Sequence, residues 1–102
     1  MSTPLQELAT LDRVIHEPAR LMIMTVLYAV SEADFIYLQN ECGLTQGNLS
    51  SHLAKLEEAK YVGVTKKFFA KKPNSVYKLT PSGRKALASY VKALKLLLGG
   101  SL

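Results

Sequence analysis

Leu49, Leu53 and Leu56 recur at i, i+4 and i+7, the spacing that lines up side chains along one face of an α-helix. Asn48, Ser51 and Lys55 fall on or near the opposite side of that helix. Thr45 stands where an N-cap belongs and Ala59 and Lys60 close the segment, so it reads as half core and half exposed polar surface. Just upstream, Phe35, Leu38 and Cys42 at i, i+3 and i+7 predict a shorter helix. Asp34 can cap that helix, and Gly43 can end it in a left-handed conformation. The two helices are joined by a turn of about three residues containing Gly, which is the helix-turn-helix arrangement; it covers roughly residues 34–60.

On either side the pattern changes. Pro18 starts a helix running to about Val30 whose apolar residues surround most of its circumference, the mark of a helix at the centre of a core. Its longest apolar stretch, Leu21 to Val30, has only about half of the roughly 20 residues needed to span a bilayer. It is interrupted by Thr25 and the Tyr28 hydroxyl, so no membrane partner is expected. Before it, Thr3-Pro4-Leu5-Gln6 has the form of a capping box and predicts a helix over about 4–15. Leu5, Leu8, Leu11 and Ile15 form a narrow stripe on it. From Tyr61 onward the β-formers Val62, Val64, Thr65, Phe68 and Phe69, and then Val76, Tyr77 and Leu79, are separated by Ala70-Lys71-Lys72-Pro73-Asn74-Ser75. This predicts a β-hairpin over about 61–80 with a basic tip. Thr80-Pro81 opens a last helix over about 81–98, carrying Leu87, Tyr90 or Val91, Leu94, and Leu97 or Leu98 before Gly99-Gly100. The fold class is mainly α with a small β-hairpin (α+β), in a single domain over residues 1–102 without internal repeats.

With 102 residues and 48% hydrophobic content, the chain can pack one small core. Its net charge of +5 is unevenly spread: all eight acids lie at or before Glu58, and ten of the thirteen basic residues lie from Lys60 onward. A purely cationic second half suits a polyanion site, but equally a lysine-rich solvated surface, and charge alone leaves both open. Cys42 is the single cysteine, which excludes an intramolecular disulfide and a zinc site of paired cysteines and suits a reducing cytosol. Its place on the stripe with Phe35 and Leu38 favours a buried, inert thiol over an oxidation sensor. No secretory signal is apparent, and a cytoplasmic location is expected. There is no Gly-rich phosphate loop and no His-Glu-x-x-His spacing, so neither an enzyme, a cofactor nor a metal site is expected. His16, two residues before Pro18, reads as a capping or interface residue.

The order helix, helix-turn-helix, two-stranded wing, helix is that of a winged helix, and the chain resembles the bacterial and archaeal MarR/ArsR-type transcriptional regulators over nearly its whole length. The stretch Leu44-Thr45-Gln46-Gly47-Asn48-Leu49-Ser50-Ser51-His52-Leu53, running into Leu56-Glu57-Glu58-Ala59-Lys60-Tyr61-Val62, is similar to the recognition helix of that family and its exit into the wing. Val76-Tyr77-Lys78-Leu79-Thr80-Pro81-Ser82-Gly83-Arg84-Lys85-Ala86-Leu87 is similar to its return strand and closing helix. Two departures stand out. The closely spaced cysteines of ArsR-type metal sensors are absent, so metal sensing is not implied. Lys60 replaces the Gly usual after the recognition helix, so a non-Gly residue must take that turn or the helix must end differently.

The resemblance implies a double-stranded DNA partner and a role in transcription regulation, with the helix from Gln46 to Ala59 in the major groove. Gln46 and Asn48 offer the donor and acceptor that adenine edges require, Ser50 and Ser51 reach bases or phosphates, and Gly47 lets the backbone approach. Thr45 and Gln46 sit at a helix N-terminus suited to a phosphate, with His52 and Lys55 as flanking phosphate contacts. Lys66, Lys67, Lys71 and Lys72 line the wing, for phosphates or a minor groove. They are also what a solvated edge strand carries. Leu5, Leu8 and Leu11 with Leu87, Tyr90, Val91, Leu94 and Leu97 are expected to form a homodimer interface, and a twofold dimer reads a palindrome, as a repressor would. Packing of the terminal helices on each other within one chain is the competing expectation. A small-molecule effector of unknown identity would have its pocket between those helices. Two alternatives remain: a winged helix that binds protein, against which Asn48, Ser51 and Lys55 argue, and an RNA-binding module, for which Phe68 and Phe69 are the only stacking candidates.

Overall fold

The computed structural model describes residues 4–99. Helix α1 (Pro4–Glu7) passes into a 3₁₀ turn (Leu8–Thr10) and ends there, well short of the helix predicted to residue 15. Leu11 is extended (φ −61°, ψ 153°), and the Asp12 carboxylate then accepts the amides of Val14 at 2.9 Å and Ile15 at 3.3 Å. That side chain offers the backbone a local alternative to the helix, and it drops Leu11 and Ile15 into the core. The predicted cap at Thr3 lies outside the described residues.

Helix α2 (Pro18–Val30) begins where Pro18 predicts, with Glu17 as its cap accepting from the amides of Ala19 and Arg20. Ala19, Ile23, Met24 and Leu27 are buried, but Met22, Tyr28 and Val30 are exposed, so the helix shows one face outward instead of lying wholly inside. A two-residue strand β1 (Ala33–Asp34) follows, with no counterpart in the sequence reading. Helix α3 (Phe35–Cys42) has Asp34 as its cap, accepting from Tyr37 at 2.8 Å, and ends at Gly43 with φ +64°. Gly43, Leu44 and Thr45 lead into α4 (Gln46–Glu58), where the Thr45 hydroxyl accepts the Asn48 amide at 3.1 Å.

Lys60 takes the left-handed turn itself, at φ +64°, and the Tyr61 amide donates to the Leu56 carbonyl across it. This is the six-to-one bond of a Schellman ending, usually built on Gly. Strands β2 (Val62–Phe69) and β3 (Lys72–Leu79) form the wing, and β3 also pairs with β1, giving an antiparallel sheet of order β1-β3-β2. The predicted tip shrinks to Ala70 and Lys71, both with positive φ (51° and 64°), because the chain from Lys72 to Ser75 is strand. Both left-handed residues match a type I′ turn, whose twist fits the flanking strands.

Helix α5 (Pro81–Gly99) starts from Thr80, whose hydroxyl accepts the Gly83 amide at 2.9 Å and donates to the Lys60 carbonyl at 2.6 Å. Gly83 lies so close to Tyr61 that a β-carbon there would collide with the Tyr61 carbonyl oxygen. Ile15, Ile23, Met24, Leu27, Leu38, Leu49, Leu53 and Leu56 form the deepest layer of the core, joined by Val62, Leu79, Leu87 and Tyr90. Among the described residues no helix is long and apolar enough to cross a membrane.

Candidate nucleic-acid interface

Helix α4 is set by its leucines. Leu49, Leu53 and Leu56 are buried, and this turns Asn48, Ser51 and Lys55 toward solvent; Ser50 on the flank and Thr45, Gln46 and Gly47 at the start of the helix are exposed too. Gly47 has nothing within 4 Å of where a β-carbon would stand, so the first turn is open. The Thr45 hydroxyl is already engaged as cap.

His52 is placed differently from its neighbours. It is half-buried, with Nδ1 3.2 Å from Arg20 Nη1 and 3.4 Å from Glu17 Oε2. A guanidinium only donates, so the neutral imidazole accepts from Arg20 at Nδ1, whereas the protonated ring pairs with Glu17. Arg20 Nε also donates to the Val14 carbonyl at 2.6 Å. The cluster thus ties the start of α2 and the segment before it to the middle of α4, and the phosphate contact expected of His52 shares its ring with this tie. Burial raises the Glu17 carboxyl, but the Ala19 and Arg20 amides and the nearby His52 and Arg20 charges outweigh it and hold it below its ordinary value. Glu17 and Arg20 escaped the sequence reading; Glu is a poor N-cap by statistics, and only its place before Pro18 could have flagged it.

On the wing, Lys66, Lys71 and Lys72 are exposed, but Lys67 reaches Glu32 at 3.1 Å. Asn74 donates to Asp34 at 3.4 Å, so the hairpin is moored to β1 and the turn before it. Phe68 is 72% exposed near the wing tip.

The terminal-helix residues divide. Leu11, Leu87 and Tyr90, expected at an interface between copies, are instead buried in the core of the single chain, where α5 packs over α2 and the loop holding Ile15. Tyr90 also hydrogen-bonds His16 Nδ1 at 2.7 Å, and its phenol is pushed up by burial. Leu8, Leu94 and Leu97 are half-buried, while Val91, Leu96 and Leu98 are exposed; the side chain of Leu5 lies outside the described residues. A groove of about 500 Å³ runs between α2 and α5, lined by Tyr28, Leu87 and Val91 with Lys92 and Lys95 at its edge. Cys42 is buried and its thiol is pushed up by that burial and by the Glu41 charge, which makes it a poor nucleophile.

Two helices across a tight turn, the second showing a polar face and leading directly into a lysine-bearing hairpin, define a winged helix-turn-helix. The sequence signature of the winged helix DNA-binding domain matches residues 19–98, and the chain belongs to that family. It is 33% identical over 79 residues to an uncharacterized protein of Methanocaldococcus jannaschii, an alignment covering 78% of this chain and 86% of that one. The structure of a transcriptional regulator homologue from Pyrococcus horikoshii superposes with a TM-score of 0.85 at 31% identity, covering 95% of each chain. A MarR family transcriptional regulator from Silicibacter pomeroyi shares the fold, with a TM-score of 0.70 at 21% identity over 88% of this chain and 58% of that one. Family and fold are those of DNA-binding transcriptional regulators.

Proposed function

We propose that this protein is a sequence-specific reader of double-stranded DNA that acts as a homodimeric repressor on a palindromic operator. The observation that carries the reading is the division of α4: its leucines are inside, Asn48 and Ser51 stand exposed and uncharged on or near the opposite side, and Gln46 in the first turn and Ser50 on the flank are exposed and uncharged as well. Uncharged donors and acceptors are what base edges in the major groove discriminate. Asn48 and Gln46 read bases, Ser50, Ser51 and Lys55 hold phosphates or adjoining bases, and the amides at the start of α4 meet a phosphate. The exposed wing lysines grip the backbone beside the groove.

The dimer rests on what one chain leaves uncovered. Leu96 is 68% exposed, with Val91 and Leu98 exposed beside it on α5. The chain is elongated, 58 × 26 × 21 Å, with a radius of gyration of 15.3 Å, against about 13 Å for a compact domain of this length. A second copy across α5 would set two recognition helices about 34 Å apart, one turn of duplex. Occupation of the groove between α2 and α5 by a small apolar effector would bear on that arrangement. Selection of bound sites from random duplexes, with the mass of the protein measured at micromolar concentration, tests the reading. A palindromic consensus and a dimeric mass are expected. Unselective recovery, a monomeric mass, or displacement of the duplex by excess RNA would overturn it.

A further inference from the structure

Phe68 is the penultimate residue of β2 and, at 72%, the most exposed of the large hydrophobic side chains described on the sheet. Its cross-strand partner is Pro73, also exposed. Phe69 and Lys72 flank the two-residue turn and so form its hydrogen-bonded pair, which makes Phe68 and Pro73 a non-hydrogen-bonded pair. Side chains approach each other most closely in such pairs, and a proline there forfeits no ladder bond. The wing tip therefore carries a small apolar prow, with Lys66, Lys71 and Lys72 exposed around it. Lys67, one position before Phe68, is drawn to Glu32.

A cationic rim around an apolar tip suits a polyanion with an apolar interior better than a second copy of a chain whose net charge is +5. The geometry points to the wing tip as a minor-groove wedge: Lys66, Lys71 and Lys72 meet the phosphates bordering the groove, and Phe68, backed by Pro73, presses against the sugars and edges of one base step and partly unstacks it. Pyrimidine–purine steps such as TA yield most easily to an apolar wedge. Phe68 thus gives the protein a sequence preference in the flank of its site, at positions α4 does not touch. This inference rests on the DNA-reading function proposed above.

The test uses the full chain and a duplex carrying the site that the wild-type protein selects, with either a TA or an AA step in the flank and 2-aminopurine in place of successive flanking adenines. The wild-type protein is expected to brighten 2-aminopurine at one flanking step and to prefer the TA flank. Phe68→Ala should abolish both and weaken binding to the TA duplex about tenfold, equivalent to about 1.4 kcal/mol, with the central consensus unchanged. Phe68→Leu should keep most of the effect. An unchanged consensus with equal affinity of wild type and Phe68→Ala for both flanks, and no brightening anywhere, would overturn the wedge while leaving the DNA-reading function standing. A change in oligomeric mass on Phe68→Ala, with no flank effect, would assign the tip to a protein contact instead. Loss of all duplex preference in the wild type would remove both proposals.

Discussion

Asp12 holds three donors at once, the amides of Val14 and Ile15 and the hydroxyl of Tyr61. The Tyr61 phenol is pushed up to about 12 by its hydrogen bond to Asp12, by burial and by the Asp12 charge. Because the folded form keeps that proton beyond the ordinary value near 10, the contribution of this contact is complete below about pH 10 and fades as pH climbs toward 12. Asp12→Asn should bring one tyrosine titration back down and flatten that alkaline loss, read by ultraviolet absorbance alongside denaturation at pH 9 and pH 11. At the exit from α4 and in the first turn of α5 packed against it, two backbone positions respond in opposite directions. Lys60 sits at φ +64°, where Gly carries no penalty, so Lys60→Gly should stabilise the fold by about 1 kcal/mol. Gly83→Ala must force a methyl against the Tyr61 carbonyl and should cost about 1–3 kcal/mol; denaturant midpoints measure both.

At the scale of elements, the wing lysines are not equivalent. Lys67 is bound to Glu32, so Lys67→Ala should lower the salt dependence of DNA binding less than Lys66→Ala, which should remove about 0.9 from the log–log slope. Glu32→Gln frees Lys67 and should raise affinity at low salt; titrations at two salt concentrations measure the difference. Where local patterns decide structure, the sequence was readable: Pro18, Asp34, Thr45 and Thr80 start helices where they should, and the leucine spacing of α4 foretold which face is buried. Where distant residues decide, it was not. The first helix stops because Asp12 captures nearby amides and Tyr61, forty-nine residues on, joins it. β1 exists only because β3 arrives beside it, and the wing tip tightens because ladder pairing carries Lys72 to Ser75 past a proline whose position needs no ladder bond. In the candidate site, the exposed polar face was legible, but the cluster of Glu17, Arg20 and His52 was not, since periodicity on one helix says nothing about what another brings to it.

For the whole molecule, the residues of the two terminal segments divide between the core and the surface. Leu11, Leu87 and Tyr90 close the core of one chain, which leaves the far part of α5, with Val91, Leu96 and Leu98, for the proposed partner copy. Leu96→Glu should therefore lower the mass in solution to that of a monomer with little change in melting temperature, whereas a fold that used Leu96 internally would melt earlier. Charge is divided along the same body: acids are confined to residues up to Glu58, and the wing and α5 are cationic, so the face proposed to meet duplex DNA receives no counteracting acid from residues beyond Glu58. The proposed reading of duplex DNA turns on the outward face of α4, which fluorescence anisotropy probes at one side chain by comparing the wild type with Asn48→Ala on the selected duplex and on a scrambled one. A loss of about 1–3 kcal/mol on the selected duplex, with little change on the scrambled one, is the predicted result; equal affinities for wild type and variant on both duplexes would contradict it.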